Sequence, residues 1–490
     1  MQKEKDAITR TDSMEHVMTL PTGQKAIKCK WIFKIKPANA QEPEIYKARL
    51  VAQGFRQQYG IDYEETYAAV AKMTSFRTIV ALSAMYNERL TKLDVANAFL
   101  ESDIDTDVYI LPPPGFPQDG YYKLKKALYG LKQSPRLFQQ TLAAEFKKMG
   151  FRPTISDTCI YIHPTSKTRI LTVVDDCFIS GNDEYMRTRI EDCLRNRFKI
   201  KAFDCVDIFI GIQLEHTETH VKLHQEQYVE QLLERFNMEG CKTASTPAAA
   251  TKQQGYSPPL PPVNSYRQLV GSLIYLMATR PDICSEVVSL STHLENPTEM
   301  NMAAGKRVLR YLAGTTKKGV SFRKGDVDAK LCVFSDSDWA GCKTTRRSTS
   351  GFLVYFAGGP ISWKSKMQPT VALSSCEAEY VALTLAVKDV LFLHQLFSEL
   401  GVDIEVPTLI FGDNVASIAL AKNPVKHERT KHIDIKHHFL RDHITKNNIK
   451  LAYIPTEDNY ADILTKTTTK QIFQRLTPNI VNLIERDSVT

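Results

Sequence analysis

Ten cysteines are scattered through 490 residues, and no two stand in a C-x-x-C pair. That pattern excludes a zinc knuckle or ribbon and offers no disulfide framework, so a reducing compartment is expected. No apolar run reaches the roughly 18 residues of a bilayer span. The first thirty residues are polar and mixed in charge, so neither a membrane partner nor a signal peptide is expected. No internal repeat is present. Neither sign of charge dominates: 63 Lys and Arg against 55 Asp and Glu leave +8, a mild excess that suits a polyanionic partner. At 43% hydrophobic and 24% charged, the composition is that of folded domains, and the length asks for more than one core.

The placement of charge says more than its sum. Residues 24–56 carry eight Lys or Arg against Glu42 and Glu44. Residues 421–450 carry eight against three acids, with five His. A solvated face explains either stretch alone. Two of them fit contact with a phosphate backbone better.

The first twenty residues are expected to be loosely ordered. "KCKWIFKIK" and "YKARLVAQGF" read as strands, and "TSFRTIVALSAMYN" as a helix. "SPRLFQQTLAAEFKKMG" spaces Leu137, Phe138, Leu142 and Phe146 on one helical face and ends at Gly150. "DIFIGIQLEH" and "HVKLHQEQY" look like a strand pair. Residues 246–265 hold five Pro and cannot build a core, which makes them a semi-rigid linker. Residues 266–315 are mainly helical. These patterns place an α+β unit at 21–240, a linker and helical connection at 241–325, a second α/β domain at 326–475 and a tail at 476–490.

"RILTVVDDCFISG", residues 169–181, interrupts a strand-forming run with two acids. A turn accepts Asp cheaply, because its side chain bonds nearby backbone. Two carboxylates on a rigid hairpin also suit a hard divalent cation. A third acid favours the second reading: Asp94 ends the apolar strand of "KLDVANAFL". Carboxylates from two strands can hold the paired cations of phosphoryl transfer.

"LDVANAFL", "LYGLKQSPRLF", "VVDD" and "FIGIQL" occur in this order, after "KARLVAQGFRQQYGIDYEETYAAVAKMTSFR". In this the chain resembles the reverse transcriptases of copia-type LTR retrotransposons, over nearly its whole length. The resemblance implies a right-hand polymerase fold of fingers, palm and thumb. It implies Asp94, Asp175 and Asp176 as catalytic metal ligands, with Mg²⁺, or Mn²⁺ in its place, at two ions per site. Lys47 and Arg49, which alternate along a strand and so face one side, match the triphosphate-binding fingers. Phe99 falls at the steric gate that excludes a ribose 2′-hydroxyl, although a buried core Phe is the plain alternative. Tyr129 and Gly130 lie nearest the incoming base, and Lys201 matches a lysine that assists the pyrophosphate leaving group. Ile210 and Gly211 match the primer grip. The chain departs from the family at Val173, where an aromatic usually touches the primer end, and at Leu111 and Pro112, where a polar pair is common.

The second domain carries Asp336 in "CVFSDSDWAG", Glu379 in "SSCEAEYVAL", Asp413 in "TLIFGDNVASIAL" and Asp462 in "YIPTEDNYADILTK". Each alone has a plain explanation in helix capping or the helix dipole. Together with "STSGFLVY" and "KHIDIKHHFLRDHI" they resemble the copia-type ribonuclease H. That likeness implies an α/β domain in which these four acids hold two Mg²⁺, and in which Asp413 and Asp462 position the attacking water. Glu379 is preferred over Glu377 because the family's E-x-x-A falls there. Asp338 is expected in a supporting place. No His occurs in the short loop before Asp462. His432, His437 and His438 are candidates for contact with the hybrid backbone.

The expected activity is therefore RNA-directed DNA polymerisation with ribonuclease H. The implied partners are an RNA template, a DNA primer, the RNA/DNA hybrid and dNTPs. The family implies a cytoplasmic virus-like particle, with nuclear entry for integration. No aspartic-protease D-[ST]-G and no integrase zinc cluster is visible, so other Pol and Gag parts are expected to be supplied separately, and residue 1 is expected to be a truncation or a separate frame. The competing reading is a decayed or co-opted copy that binds nucleic acid with nuclease activity only, or with none.

Overall fold

The structure, a computed structural model, describes residues 1–36, 44–249, 256–261, 264–325, 329–422 and 434–481. Parts of the linker (250–255 and 262–263), His432 and residues 482–490 of the tail lie outside the described residues, as do most of residues 421–433. The chain divides into two compact units. One comprises Met1–Lys72 and Leu90–Cys205, the other Met73–Arg89 and Val206–Thr490.

The strands of the first unit are β1 (Met14–Val17), β2 (Cys29–Lys36), β3 (Ile45–Ala52), β4 (Leu90–Val95), β5 (Tyr109–Ile110), β6 (Tyr121–Leu124), β7 (Arg152–Pro153), β8 (Ile160–Ile162), β9 (Arg169–Val173), β10 (Asp176–Ser180) and β11 (Ile200–Phe203). An antiparallel six-stranded sheet runs β11-β4-β10-β9-β8-β7, beside a three-stranded sheet β1-β6-β5 and a β2-β3 ribbon. Period-two alternation sorts the central strands. Leu93, Val95, Cys177 and Ile179 turn into the core, where they meet Phe138 and Phe146 of the Ser134–Lys148 helix and Ile190 and Leu194 of the Glu184–Arg197 helix. The second of these helices is capped by Asp183, which accepts from the Met186 amide at 2.9 Å.

The N-terminus corrects the sequence expectation. Gln2–Arg10 is a helix, and β1 pairs with β6. Ala7 and Ile8 are buried against Leu50, Leu100 and Ile110, and that burial orders a segment whose polar composition hid it.

The second unit adds β12 (Ile208–Phe209), β13 (Ile212–His216), β14 (His220–His224), β15 (Gly319–Arg323), β16 (Cys332–Ser337), β17 (Thr349–Phe356), β18 (Gly359–Met367), β19 (Thr408–Gly412) and β20 (Ile449–Tyr453). The expected boundaries do not coincide with the two units. β14 pairs with β15, from His220↔Arg323 to His224↔Gly319, in the sheet β12-β13-β14-β15, so the ladder joins residues on both sides of position 240. The Met73–Met85 helix also belongs here. Its buried Arg77 donates to the Ile361 carbonyl at 2.7 Å and lies 3.6 Å from the Trp363 ring centroid.

The remaining sheet runs β18-β17-β16-β19-β20, antiparallel from β16 to β18 and parallel across β16, β19 and β20. The Ser375–Glu399 helix packs on β16 and β17. It is long and apolar enough to cross a bilayer by length and composition, but it buries Leu383, Val387, Val390 and Leu393 as the core helix of this sheet.

Candidate active sites

The first site is built on β4, β10 and β11. With Leu93 and Val95 facing inward, Lys92 and Asp94 face the other way. Asp176 stands directly opposite Asp94 in the β4–β10 ladder, and Lys201 opposite Asp94 in the β11–β4 ladder. Val173 pairs with Asp176, so the two-residue turn is Val174-Asp175. The sequence reading put both acids in the turn. The structure makes Asp176 the first residue of β10. Val174 has φ +55°, an uncommon conformation for a β-branched residue. The Val95 amide donates to the Asp175 carbonyl at 3.0 Å and ties the turn to the end of β4. Lys92 Nζ lies 2.9 Å from Asp176 Oδ1. Burial pushes the Asp176 carboxyl up, with Asp175 and Asp94 adding to the shift and Lys92 opposing it.

Three of the expected nucleotide-binding residues are stacked. The Arg49 guanidinium sits 3.9 Å from the Tyr129 ring centroid, and Phe99 meets the same ring edge-on at 4.6 Å. Phe99 is also a core residue, 8% exposed and 6.4 Å from the Phe138 ring. The Tyr129 hydroxyl is buried without a hydrogen-bond partner among the described residues. Ala52 donates to the Tyr129 carbonyl at 2.8 Å, which holds Tyr129-Gly130 against the end of β3. Lys47 lies opposite Lys34 on the β2–β3 ribbon, one step along the same face from Arg49. Ile210 and Gly211 belong to the second unit, where they turn between β12 and β13.

The second site gathers its acids more tightly. Among the described residues, Asp336, Glu379 and Asp413 are the group whose ligand oxygens all lie within 4.8 Å of one another. Asp336 comes from β16, Glu379 from the Ser375–Glu399 helix and Asp413 from the loop after β19. The Ser337 amide donates to Glu379 Oε1 at 3.1 Å, and the Thr456 hydroxyl to Asp413 Oδ2 at 2.7 Å. Glu377 instead accepts from the Leu373 amide at 2.8 Å. Asp338 accepts from the Thr349 amide and is not one of the three. Asp462 is outside the group of three. Its Oδ1 lies 2.9 Å from Lys466 Nζ, which is also 3.8 Å from Asp336 Oδ2, and the Thr465 hydroxyl donates to Asp336. Thr465 and Lys466 were not singled out in the sequence. The signal available was the i,i+4 spacing of Asp462 and Lys466 at the start of a helix.

Like charges crowded in a buried place raise one another's pKa. Burial, and then the charges of Asp336 and Asp413, push Glu379 up to about 10. Burial and Asp336 push Asp462 up to about 7. Such a donor set, all oxygen and short of positive charge, fits a hard divalent cation.

An antiparallel sheet presenting acids at a hairpin, followed by a five-stranded mixed sheet with acids at its strand ends, defines the reverse transcriptase–ribonuclease H class of fold. Residues 13–250 match the family described as reverse transcriptase (RNA-dependent DNA polymerase). Over 97% of its length the chain is 37% identical to the retrovirus-related Pol polyprotein from transposon TNT 1-94 of Nicotiana tabacum, of which it covers 37%. Over 94% it is 39% identical to the one from transposon RE1 of Arabidopsis thaliana, of which it covers 32%. The chain thus spans about a third of these relatives. In fold it is similar to the foamy viral protease–reverse transcriptase solved with RNA/DNA hybrid, at a TM-score of 0.52 and 13% identity, over 93% of this chain and 53% of that one. The chain belongs to the reverse transcriptase family of copia-type retrotransposon Pol polyproteins.

Proposed function

We propose that the chain extends a DNA primer on an RNA template and degrades the RNA of the resulting hybrid. The observation that carries this reading is the meeting of Asp94, Asp176 and Lys201 at one rung of the palm sheet, beside the Asp175 turn. Asp94, Asp175 and Asp176 would hold two divalent ions in the first site, and Asp336, Glu379, Asp413 and Asp462 two in the second. Bound there, such ions supply charge neutralisation and a lowered pKa at the attacking oxygen.

The chain's own residues do the positioning on which phosphoryl transfer depends. Lys47 and Arg49 take the triphosphate. The Phe99–Tyr129 wall orients the sugar and base and excludes a 2′-hydroxyl. Lys201 steadies the negative charge that develops on the pyrophosphate, and Val173, Ile210 and Gly211 bear on the primer end. In the second site Asp413 and Asp462 orient the water, and Lys466 and Thr465 hold Asp462 and Asp336 in place. His438 is offered to the hybrid backbone. Work of this kind belongs in a cytoplasmic particle, with the remaining Pol and Gag parts supplied separately.

The test is primer extension on RNA with Mg²⁺, alongside cleavage of a labelled hybrid. Asp175→Asn should abolish synthesis and spare cleavage. Asp336→Asn should do the reverse. A folded wild type that does neither, with either metal, would leave only a nucleic-acid binder.

A further inference from the structure

A cavity of about 510 Å³ opens in the second unit, lined by residues of segments 243–245, 311–318 and 473–478. Phe473 also lines a small cleft, together with Lys466, Thr467, Thr468, Asp282 and Glu286. All three segments come from stretches without a carboxylate. No acid occurs between Glu239 and Asp282, between Glu299 and Asp326, or between Asp462 and Glu485. The same stretches supply Lys242, Arg310, Lys317, Lys318 and Lys470.

Lys318 is the ammonium on the cavity wall. Asp282, the acid behind that wall, is already committed. It accepts from Arg280 at 2.9 and 2.8 Å and from the Tyr311 hydroxyl at 2.6 Å. Arg280 in turn donates to the carbonyl and hydroxyl of Thr315, both at 2.8 Å. Lys318 Nζ has no hydrogen bond and no ion pair within 4 Å among the described residues, and the hydroxyls of Thr243 and Ser245 and the amide of Gln474 make no side-chain hydrogen bond there. A half-buried ammonium among unengaged donors, whose one neighbouring acid is already held by Arg280 and Tyr311, suits an anion. Lysine meets phosphate as a point charge, and hydroxyl donors complete such contacts without reading sequence.

We propose that this cavity binds a backbone phosphate of the nucleic acid, with Lys318 as the charge and Thr243 and Ser245 as donors. The proposal rests on the nucleic-acid reading above and adds a contact outside both sets of acids. It is tested on the full chain, by the anisotropy of a labelled RNA/DNA hybrid in EDTA across a salt series. Lys318→Ala should weaken binding about fivefold and flatten the slope of log K against log salt by about 1. Lys318→Arg should keep both near wild type. The pair Thr243→Val and Ser245→Ala, on an exposed loop, should weaken binding without changing the slope, and it covers the case in which Lys318→Ala misfolds. Unchanged affinity and slope in a variant that melts like wild type would overturn the site. So would loss of inorganic phosphate binding with hybrid binding intact, which would make it a small-anion site. A wild type that binds no hybrid would sink the nucleic-acid reading itself, a result distinct from a variant that binds normally.

Discussion

The Tyr275 hydroxyl donates to the Ile210 carbonyl at 2.8 Å. It does so at the tip of the β12–β13 hairpin, where Ile210 and Gly211 both take positive φ, +47° and +76°. A Cβ added at Gly211 would overlap the same hydroxyl. The tip is therefore held in a conformation that a β-branched residue resists, by a tyrosine from the Asn264–Leu276 helix.

Gly211→Ala should cost about 1–3 kcal/mol, since it adds both a strained φ and a clash. Combining it with Tyr275→Phe should recover part of that loss, because the hydroxyl is the atom in the way. Urea melts of the two single variants and the double variant measure the coupling. Strictly additive losses would show that the clash is absorbed elsewhere.

Lys92 opposes the upward shift of the Asp176 carboxyl. Lys92→Met removes that opposition, so Asp176 should hold its proton to higher pH. If the polymerase needs Asp176 ionised, the acid limb of its kcat–pH profile should move to higher pH in the variant, and activity well above the limb should recover. An unmoved limb would show that Asp176 does not titrate in the working range.

In the second site Glu379 and Asp462 are raised, to about 10 and about 7, so the folded state favours their protonated forms. That contribution is fully present below the unfolded carboxylate range and is lost as pH rises toward those values. Metal-free protein should therefore melt lower at about pH 9 than at about pH 6. Binding of Mg²⁺ must displace those protons, so its stabilisation should be larger at the higher pH. Calorimetry at both values, with Mg²⁺ and with EDTA, checks both signs. An equal Mg²⁺ shift at the two values would contradict the coupling.

Phe99 packs in the core and, in the proposed function, also walls the nucleotide pocket. Phe99→Ala should cost about 3–5 kcal/mol and expose the sheet. Phe99→Leu should keep the fold and relax the wall against Tyr129. Single-turnover incorporation by the Leu variant should show a raised ratio of rNTP to dNTP use, and an unchanged ratio would reduce Phe99 to packing alone.

Local pattern alone determined the elements around the palm. The alternation of "LTKLDV", the interrupted run "RILTVVDDCFISG" and the periodic face of "SPRLFQQTLAAEFKK" need only neighbours in sequence, and all became strands and helices near their expected places. The acids of both sites were likewise named from short motifs. The tertiary structure decided what those motifs could not carry. Register put Asp176 in a strand opposite Asp94 rather than in the turn. The β14–β15 ladder and the buried Arg77 moved residues 73–89 and 206–240 into the second unit. Long-range folding also brought Lys466 to Asp336, and Arg49 onto Tyr129. The physical reason is the same in each case: periodicity reports which face of an element is buried, whereas pairing between distant segments is set by which buried faces fit one another, and one residue's surroundings do not encode that.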